Sequence, residues 1–202
     1  MQLIFKKQKI EIRKKLNSLD NFVIEFISIL NKSKVKYVIV SGYVAILFGR
    51  NRTSEDVDLI LEKLDFKTFN DLFIKLNKKF ECLNVEDAKT AYSKYLLNHT
   101  AIRFCYKGNY IPNIEVKFAF NKLNQLDTLS LNEKLEVNLS GNKIFISPIE
   151  LQIAFKFFLG SEKDIEDAVY IYEIFKDRID LKLLAEFGRK LNILDTINKY
   201  VK

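Results

Sequence analysis

Two aspartates separated by one valine, Asp56 and Asp58, sit in the run Ser54-Glu55-Asp56-Val57-Asp58-Leu59-Ile60-Leu61. A stretch this apolar reads as a buried strand, and burying a carboxylate is costly unless something pairs with it. On a strand, residues i and i+2 share a face. Asp56 and Asp58 therefore project together, with Cα atoms roughly 6.5–7 Å apart, while Val57 and Leu59 face the core. Two such carboxylates can flank a pair of metal ions about 3.5–4 Å apart. Mg²⁺ favours a few carboxylates plus phosphate oxygens. The plainer reading of an Asp-x-Asp pair is a solvated loop, and the alternating apolar residues speak against it. A third acid stands in Asn113-Ile114-Glu115-Val116-Lys117-Phe118. There Ile114, Val116 and Phe118 take one face, and Glu115 and Lys117 take the other. A neighbouring strand lies about 4.8 Å away, so Glu115 can join the aspartates. A solvated sheet face carrying Glu115 and Lys117 is the competing reading.

Several elements must position these acids. Upstream, "VKYVIVSG" is a β-branched run ending in Gly42, a buried strand. "YVAILFG" is apolar and closes on Gly49, a short helix with a glycine C-cap. Residues 6 to 33 carry Phe22, Phe26, Ile29 and Leu30 at helical spacing, which predicts a helix. "DFKTFNDLFIKLNKKF" is an amphipathic helix, with Phe66, Phe69, Leu72, Phe73 and Leu76 on one face. "TAIRFCY" and "NIEVKFAF" alternate as strands. "KLEVNL" and "KIFISP" predict a hairpin turning at Ser140, Gly141 and Asn142. After Ser147 the pattern is helical only. Ser147 reads as an N-cap with Pro148 at the first helical position and Glu150 three after the cap. "SEKD" starts the next helix with a second capping pattern. The expected organisation is α+β (α/β), with residues 1–147 as one domain and residues 148–202 as a helical segment packed on it.

Composition sets bounds. Lys, Arg, Asp or Glu interrupts every apolar run before it reaches membrane-spanning length, and no signal-peptide core follows the basic start. Cys82 and Cys105 are isolated and read as reduced thiols of a cytoplasmic protein. His99 is alone and reads as a surface or loop residue. The formal charge of +7 fits a polyanionic partner. Richness in Lys, Ile and Asn together is also what an AT-rich genome produces.

The succession of strand, Gly42-Tyr43, short helix, Asp56-x-Asp58 and Glu115 on a later strand resembles the DNA polymerase β-like nucleotidyltransferase superfamily. "GYVAILFGRNRTSEDVDLIL" is more narrowly similar to AbiEii-type nucleotidyltransferases and the minimal nucleotidyltransferases. Arg52, Ser54, Asp56 and Asp58 match their Arg-x-Thr/Ser-x-Asp-x-Asp pattern. Tyr43 stands where the family has a small Gly or Ser, so a bulky ring is expected near a triphosphate. In "ISPIELQIAFKFFLGSEKDIEDAVYIYEIF", Lys156 matches the family's triphosphate-contacting lysine, and Lys163, Asp164 and Asp167 match a later Lys/Arg-Asp-x-x-Asp motif. From the residues alone, Lys156 also reads as a snorkelling surface lysine, Asp164 as a helix-capping acid, and Arg50 and Arg52 as solvated turn residues.

The resemblance implies two Mg²⁺ or Mn²⁺ ions held by Asp56, Asp58 and Glu115. It implies a nucleoside triphosphate substrate contacted by Gly42, Tyr43, Arg52, Ser54, Lys156, Lys163 and Asp167. The implied reaction moves a nucleoside monophosphate to an acceptor hydroxyl and releases pyrophosphate. The AbiEii likeness implies a toxin-type enzyme acting on RNA, such as a tRNA end, with a cognate antitoxin. Alternatives are an AMPylating antitoxin acting on a partner toxin, and a non-catalytic binding relative. For RNA, Lys6, Lys7, Lys9, Arg13, Lys14 and Lys15 of the first helix, with Arg50 and Arg52, are the expected backbone contacts.

Overall fold

The computed structural model describes residues 1–6, 9–120 and 125–201. The chain opens with two strands, β1 (Gln2–Lys6) and β2 (Lys9–Arg13). Helix α1 (Ser18–Lys32) follows, capped by Asn17 and Asp20 in a reciprocal box. The helix expected over residues 6 to 33 thus begins only at Ser18. The reason is a period of two hidden among the lysines: Ile10 and Ile12 are buried, and the residues flanking them face outward. Lys7 lies outside the described residues.

Next come β3 (Tyr37–Val40), α2 (Gly42–Leu47), β4 (Asp56–Leu61), α3 (Phe66–Leu76), β5 (Phe80–Cys82) and the short α4 (Ala88–Thr90). Strands β6 (Ile102–Tyr106) and β7 (Asn109–Phe118) lead to α5 (Gln125–Asn132). The hairpin β8 (Leu135–Leu139) and β9 (Asn142–Ile146) turns through Ser140 and Gly141, both at positive φ, the geometry that matches strand twist in a tight hairpin. Four helices finish the described chain: α6 (Ile149–Leu159), α7 (Glu162–Phe175), α8 (Leu181–Lys190) and α9 (Leu194–Tyr200).

The strands form one sheet in the order β1-β2-β8-β9-β3-β4-β7-β6-β5. Its β2–β8, β3–β9 and β4–β7 pairs are parallel, and the others are antiparallel. Helices flank this mixed sheet. A single core cluster joins sheet residues such as Val57, Leu59 and Ile146 to Phe22 and Phe26 of α1, and to Phe157, Ile171 and Phe187 of the last helices. A smaller cluster of Val38, Ile60, Ala119 and Leu131 covers the other face beneath the acids. Among the described residues, no helix is long and apolar enough to cross a membrane. Cys82 and Cys105 are free thiols, and exposed His99 packs its ring on Phe120 with centroids 4.1 Å apart.

Candidate active site

Register places the acids. Along β4, Val57 and Leu59 are buried in the core, while Asp56 is exposed and Asp58 half-buried on the opposite face. Asp58 pairs with Val40 of β3 on one side and Glu115 of β7 on the other, and Glu115 pairs in turn with Arg103 of β6. One transverse row therefore crosses four strands. Asp58 and Glu115 sit side by side in it, and Asp56 stands one pleat along.

Each acid has a holder. The Ser54 hydroxyl donates to the Asp56 carbonyl at 2.9 Å and touches Asp56 Oδ1 at 3.3 Å. Arg103 grips Glu115 Oε2 through Nε at 3.0 Å and Nη2 at 2.9 Å. The Asp58 carboxyl is pushed up to about 6, first by burial and then by the charge of Asp56, with Glu115 adding to the rise. The Ser41 side chain and the Lys156 charge pull it partway back. Asp58 and Glu115 line a cleft of about 210 Å³ whose walls also include Ser41, Lys117, Phe155 and Leu159.

As placed, the described residues hold no set of three His, Cys, Asp or Glu side chains drawn together tightly enough to ligate a metal ion. Glu115 is turned instead to Arg103. The donor chemistry still fits a hard divalent cation. It offers only carboxylate oxygens, on adjacent strands, and the Asp58 carboxyl is raised by burial and by the like charges beside it.

The strand-to-helix turn before α2 has three notable residues. Ser41 has φ 62° and ψ −135°, a conformation that non-glycine residues rarely adopt. Gly42 is where the Arg52 guanidinium passes, since a Cβ there would lie 2.8 Å from Arg52 Nη2. Tyr43 departs from expectation. Its ring is fully buried in the core, and its hydroxyl donates to Asp20 Oδ1 at 2.9 Å. Asp20 is itself buried and also accepts from Lys14 Nζ at 2.9 Å and the Asn17 amide at 3.0 Å. Burial, then the Asp20 charge, raises the Tyr43 hydroxyl well above its ordinary pKa. The expected crowding of a triphosphate by this ring does not arise, because α2 turns the ring inward.

A second charged group lies behind the first. Lys156, only 2% exposed, bonds Asp164 Oδ1 at 2.5 Å and Asp167 Oδ2 at 3.1 Å. Asp167 is fully buried and also pairs with Arg52 and, at 2.7 Å, with Arg50 Nε. The Arg50–Asp167 contact is an ion pair bent too far to count as a hydrogen bond. Arg50 reaches Glu166 as well, at 2.5 Å. Burial would raise the Asp164 pKa, but hydrogen bonds from Lys156 and Ser161 outweigh it and hold it below the ordinary value. Lys156 is thus no snorkelling surface lysine, and Arg50 and Arg52 are no solvated turn residues. Their charges meet buried carboxylates of α7. Lys163 is exposed, outside this group. Ser161 does cap α7, accepting from the Asp164 amide at 3.2 Å. Ser147 does not cap α6, which starts after Pro148. Its hydroxyl turns instead to Gln152 Oε1 at 3.0 Å.

The basic residues expected to hold RNA are largely committed too. Lys9 pairs with Glu136, Arg13 with Glu11, and Lys14 with buried Asp20. Lys15 is exposed. Sequence reasoning also missed Ser41, Arg103 and Gln152. The one signal available for Gln152 was a polar residue in the apolar run Leu151-Gln152-Ile153-Ala154-Phe155.

No family model matches the sequence, and no curated protein matches it either. Solved structures do share its shape. An antigenic nucleotidyltransferase-like protein from Paracoccidioides brasiliensis is 20% identical with a TM-score of 0.52, covering 92% of this chain and 94% of its own. ANT(2″)-Ia in complex with adenylyl-2″-tobramycin is 11% identical with a TM-score of 0.57, over 86% and 99% of the two chains. The lincomycin-bound lincosamide antibiotic adenylyltransferase LnuA is 14% identical with a TM-score of 0.51, over 80% and 99%. The chain has the nucleotidyltransferase fold.

Proposed function

We propose that this protein is a metal-dependent nucleotidyltransferase that moves a nucleoside monophosphate from a nucleoside triphosphate to an acceptor hydroxyl. One observation carries the reading. Asp58 and Glu115 stand in register beside Asp56, at a cleft, and the Asp58 carboxyl is raised by burial and by neighbouring like charge. A row of carboxylates gains nothing from this arrangement unless a cation joins it.

Asp56, Asp58 and Glu115 would hold the Mg²⁺ or Mn²⁺ ions, which supply charge neutralisation at the triphosphate and a more acidic acceptor hydroxyl when bound. Ser54 steadies Asp56. Arg103 keeps Glu115 aligned and has to share it for ligation. The reaction is an in-line displacement: a bond forms from the acceptor oxygen to the α-phosphorus, and the bond to pyrophosphate breaks. The Arg52 guanidinium lies against Gly42, at the start of α2, where a phosphate would approach. Lys156 and Asp167 act from behind, as the anchor of Arg52.

The AbiEii-like pattern from Gly42 to Asp58 supports an RNA acceptor and a toxin-type role with a cognate antitoxin. The net charge of +7 agrees with it. A second reading is a small hydroxyl compound. It is favoured by the pairing of Lys9, Arg13, Lys14 and Arg50 with acids and by the antibiotic adenylyltransferases among the structural neighbours. Incubation with labelled nucleoside triphosphates and Mg²⁺ or Mn²⁺, against tRNA, protein and aminoglycoside or lincosamide acceptors, separates them. Label on tRNA is expected. Label only on the small compounds moves the acceptor, label only on a protein partner favours AMPylation, and no label with any acceptor overturns the enzymatic reading.

A further inference from the structure

Gln152 lies on α6, 111 residues along the chain from Ser41, and is 3% exposed. Its carboxamide closes on a single residue from both sides. Oε1 accepts from the Ser41 amide at 3.1 Å, and Nε2 donates to the Ser41 carbonyl at 2.7 Å. The orientation is fixed by chemistry, because a backbone amide can only donate and a carbonyl can only accept. The Ser147 hydroxyl, 1% exposed, donates to the same Oε1 at 3.0 Å and holds the carboxamide plane. Both ends of the carboxamide thus bond the Ser41 backbone, and Ser147 shares its oxygen.

The turn at Ser41 needs holding. Ser41 has φ 62° with ψ −135°, which a side chain disfavours. Such a conformation persists only where its surroundings over-determine it, and it clusters at functional sites. Ser41 lines the cleft together with Asp58, and the residue before it, Val40, is the register partner of Asp58. The strained residue therefore sits beside the acid row and at the entry to α2.

We propose that Gln152 is a positioning residue: it clamps the Ser41 peptide in its strained conformation and so fixes the cleft wall against which Asp58 is set for its metal ion. This rests on the nucleotidyltransferase reading of the acid row. Gln152 acts through Ser41, whose backbone bonds both ends of its carboxamide.

The probe is Mn²⁺ alone, titrated into the intact protein and followed by electron paramagnetic resonance. Asp58→Asn should abolish the tight binding. Gln152→Met, of similar length and apolar, should weaken it ten- to a hundredfold, the range typical of residues that orient metal ligands. Ser41→Gly should restore several-fold of that loss in the Gln152→Met background, because glycine reaches positive φ without the clamp. A residue that merely filled space would show no such rescue. Gln152→Asn keeps the carboxamide but is one methylene too short to reach the Ser41 amide and carbonyl together. It should lose affinity similarly, and it replaces the Met variant where circular dichroism shows that variant unfolded. Wild-type Mn²⁺ affinity in the Gln152 variants, with Asp58→Asn deficient, overturns the clamp. A double variant no better than Gln152→Met also overturns it. Wild-type affinity in Asp58→Asn overturns instead the acid-row reading on which the clamp rests.

Discussion

The molecule handles charge in two opposite ways within one small region. In the acid row, Asp56 and Asp58 lie close together with side help from Ser54 and Ser41 and the pull of the Lys156 charge, and the Asp58 carboxyl is still pushed up to about 6. In the buried group behind it, Asp167 is fully enclosed yet meets Arg50, Arg52 and Lys156, while Asp164 takes Lys156 from the other side. Burial alone does not distinguish the two, since the better buried carboxylate is the better satisfied one. The distinction is compensation. Asp164 and Asp167, neutralised by the chain, serve its architecture; Asp56 and Asp58, left short of positive charge, invite something from outside; Glu115, held by Arg103, stands between the two.

If that contrast holds, the largest stability loss comes from the compensated side. Asp167→Ala leaves three cations around an empty centre and should cost about 3–5 kcal/mol, measured by urea unfolding. A loss under 1 kcal/mol would break the contrast.

On the uncompensated side the sign reverses. Asp58→Asn should cut nucleotide transfer more than a hundredfold, beyond the usual cost of losing a residue that only orients a ligand. Yet it should stabilise the metal-free protein. A carboxyl raised in the folded state contributes stability that is complete below its unfolded pKa and lost as pH rises through the folded value. The wild type therefore weakens between about pH 4 and pH 6 at this site. By neutral pH the Asn variant should be ahead by about 1–3 kcal/mol, read from melts with chelator present. A wild type as stable as the variant at pH 8 would place Asp58 among the satisfied acids.

Tyr43→Phe probes a mixed case, a buried acid with several donors. Removing one donor from Asp20, which keeps Lys14 and the Asn17 amide, should cost about 1–2 kcal/mol. Nucleotide affinity should stay the same, because the ring faces the core. A large affinity change would return Tyr43 to the cleft.

The smallest effect belongs to Asp164. Its pKa is lowered on folding, so its contribution is present above the unfolded value and fades as pH falls through the folded one. Asp164→Asn should flatten the acid limb of the stability profile below about pH 4 and leave the alkaline limb alone. An unchanged acid limb would mean that Lys156 depends on Asp167 only.

What was legible in the sequence was local. The alternation around Asp56 and Asp58, the hairpin at Ser140 and Gly141, and the amphipathic face of α3 rest on neighbours within a few residues. Period-two reasoning put Asp56 and Asp58 on one face and left Glu115 open between the acids and a solvated sheet face; the family resemblance added it, and the register sets it beside Asp58. Apart from the Ser147 cap, the failures involve partners outside the local element. The strands before α1 were read as helix because lysines obscure the Ile10–Ile12 alternation and their partner β8 is remote in sequence. Tyr43 looked intrusive because nothing near it announces Asp20. For Lys156 the residues left a triphosphate contact and a surface position both open, because its carboxylates come from the next helix. Gln152 carries no sequence signal of its task beyond being polar where apolar residues surround it.

The separation between Ser41 and Gln152 bears on how the protein is born. Chains are synthesised at about 5–20 residues per second, so roughly 6 to 20 seconds pass between the two residues leaving the peptidyl-transferase centre. The parallel pairing of β3 with β9 has the same long span, and such non-local contacts form late and slowly. For most of that interval Asp56 and Asp58 already exist on the nascent chain, but the wall beside them has no partner to hold it. Competence arrives only with α6, and an emerging chain that still lacks it carries the acids without the arrangement that makes them a site.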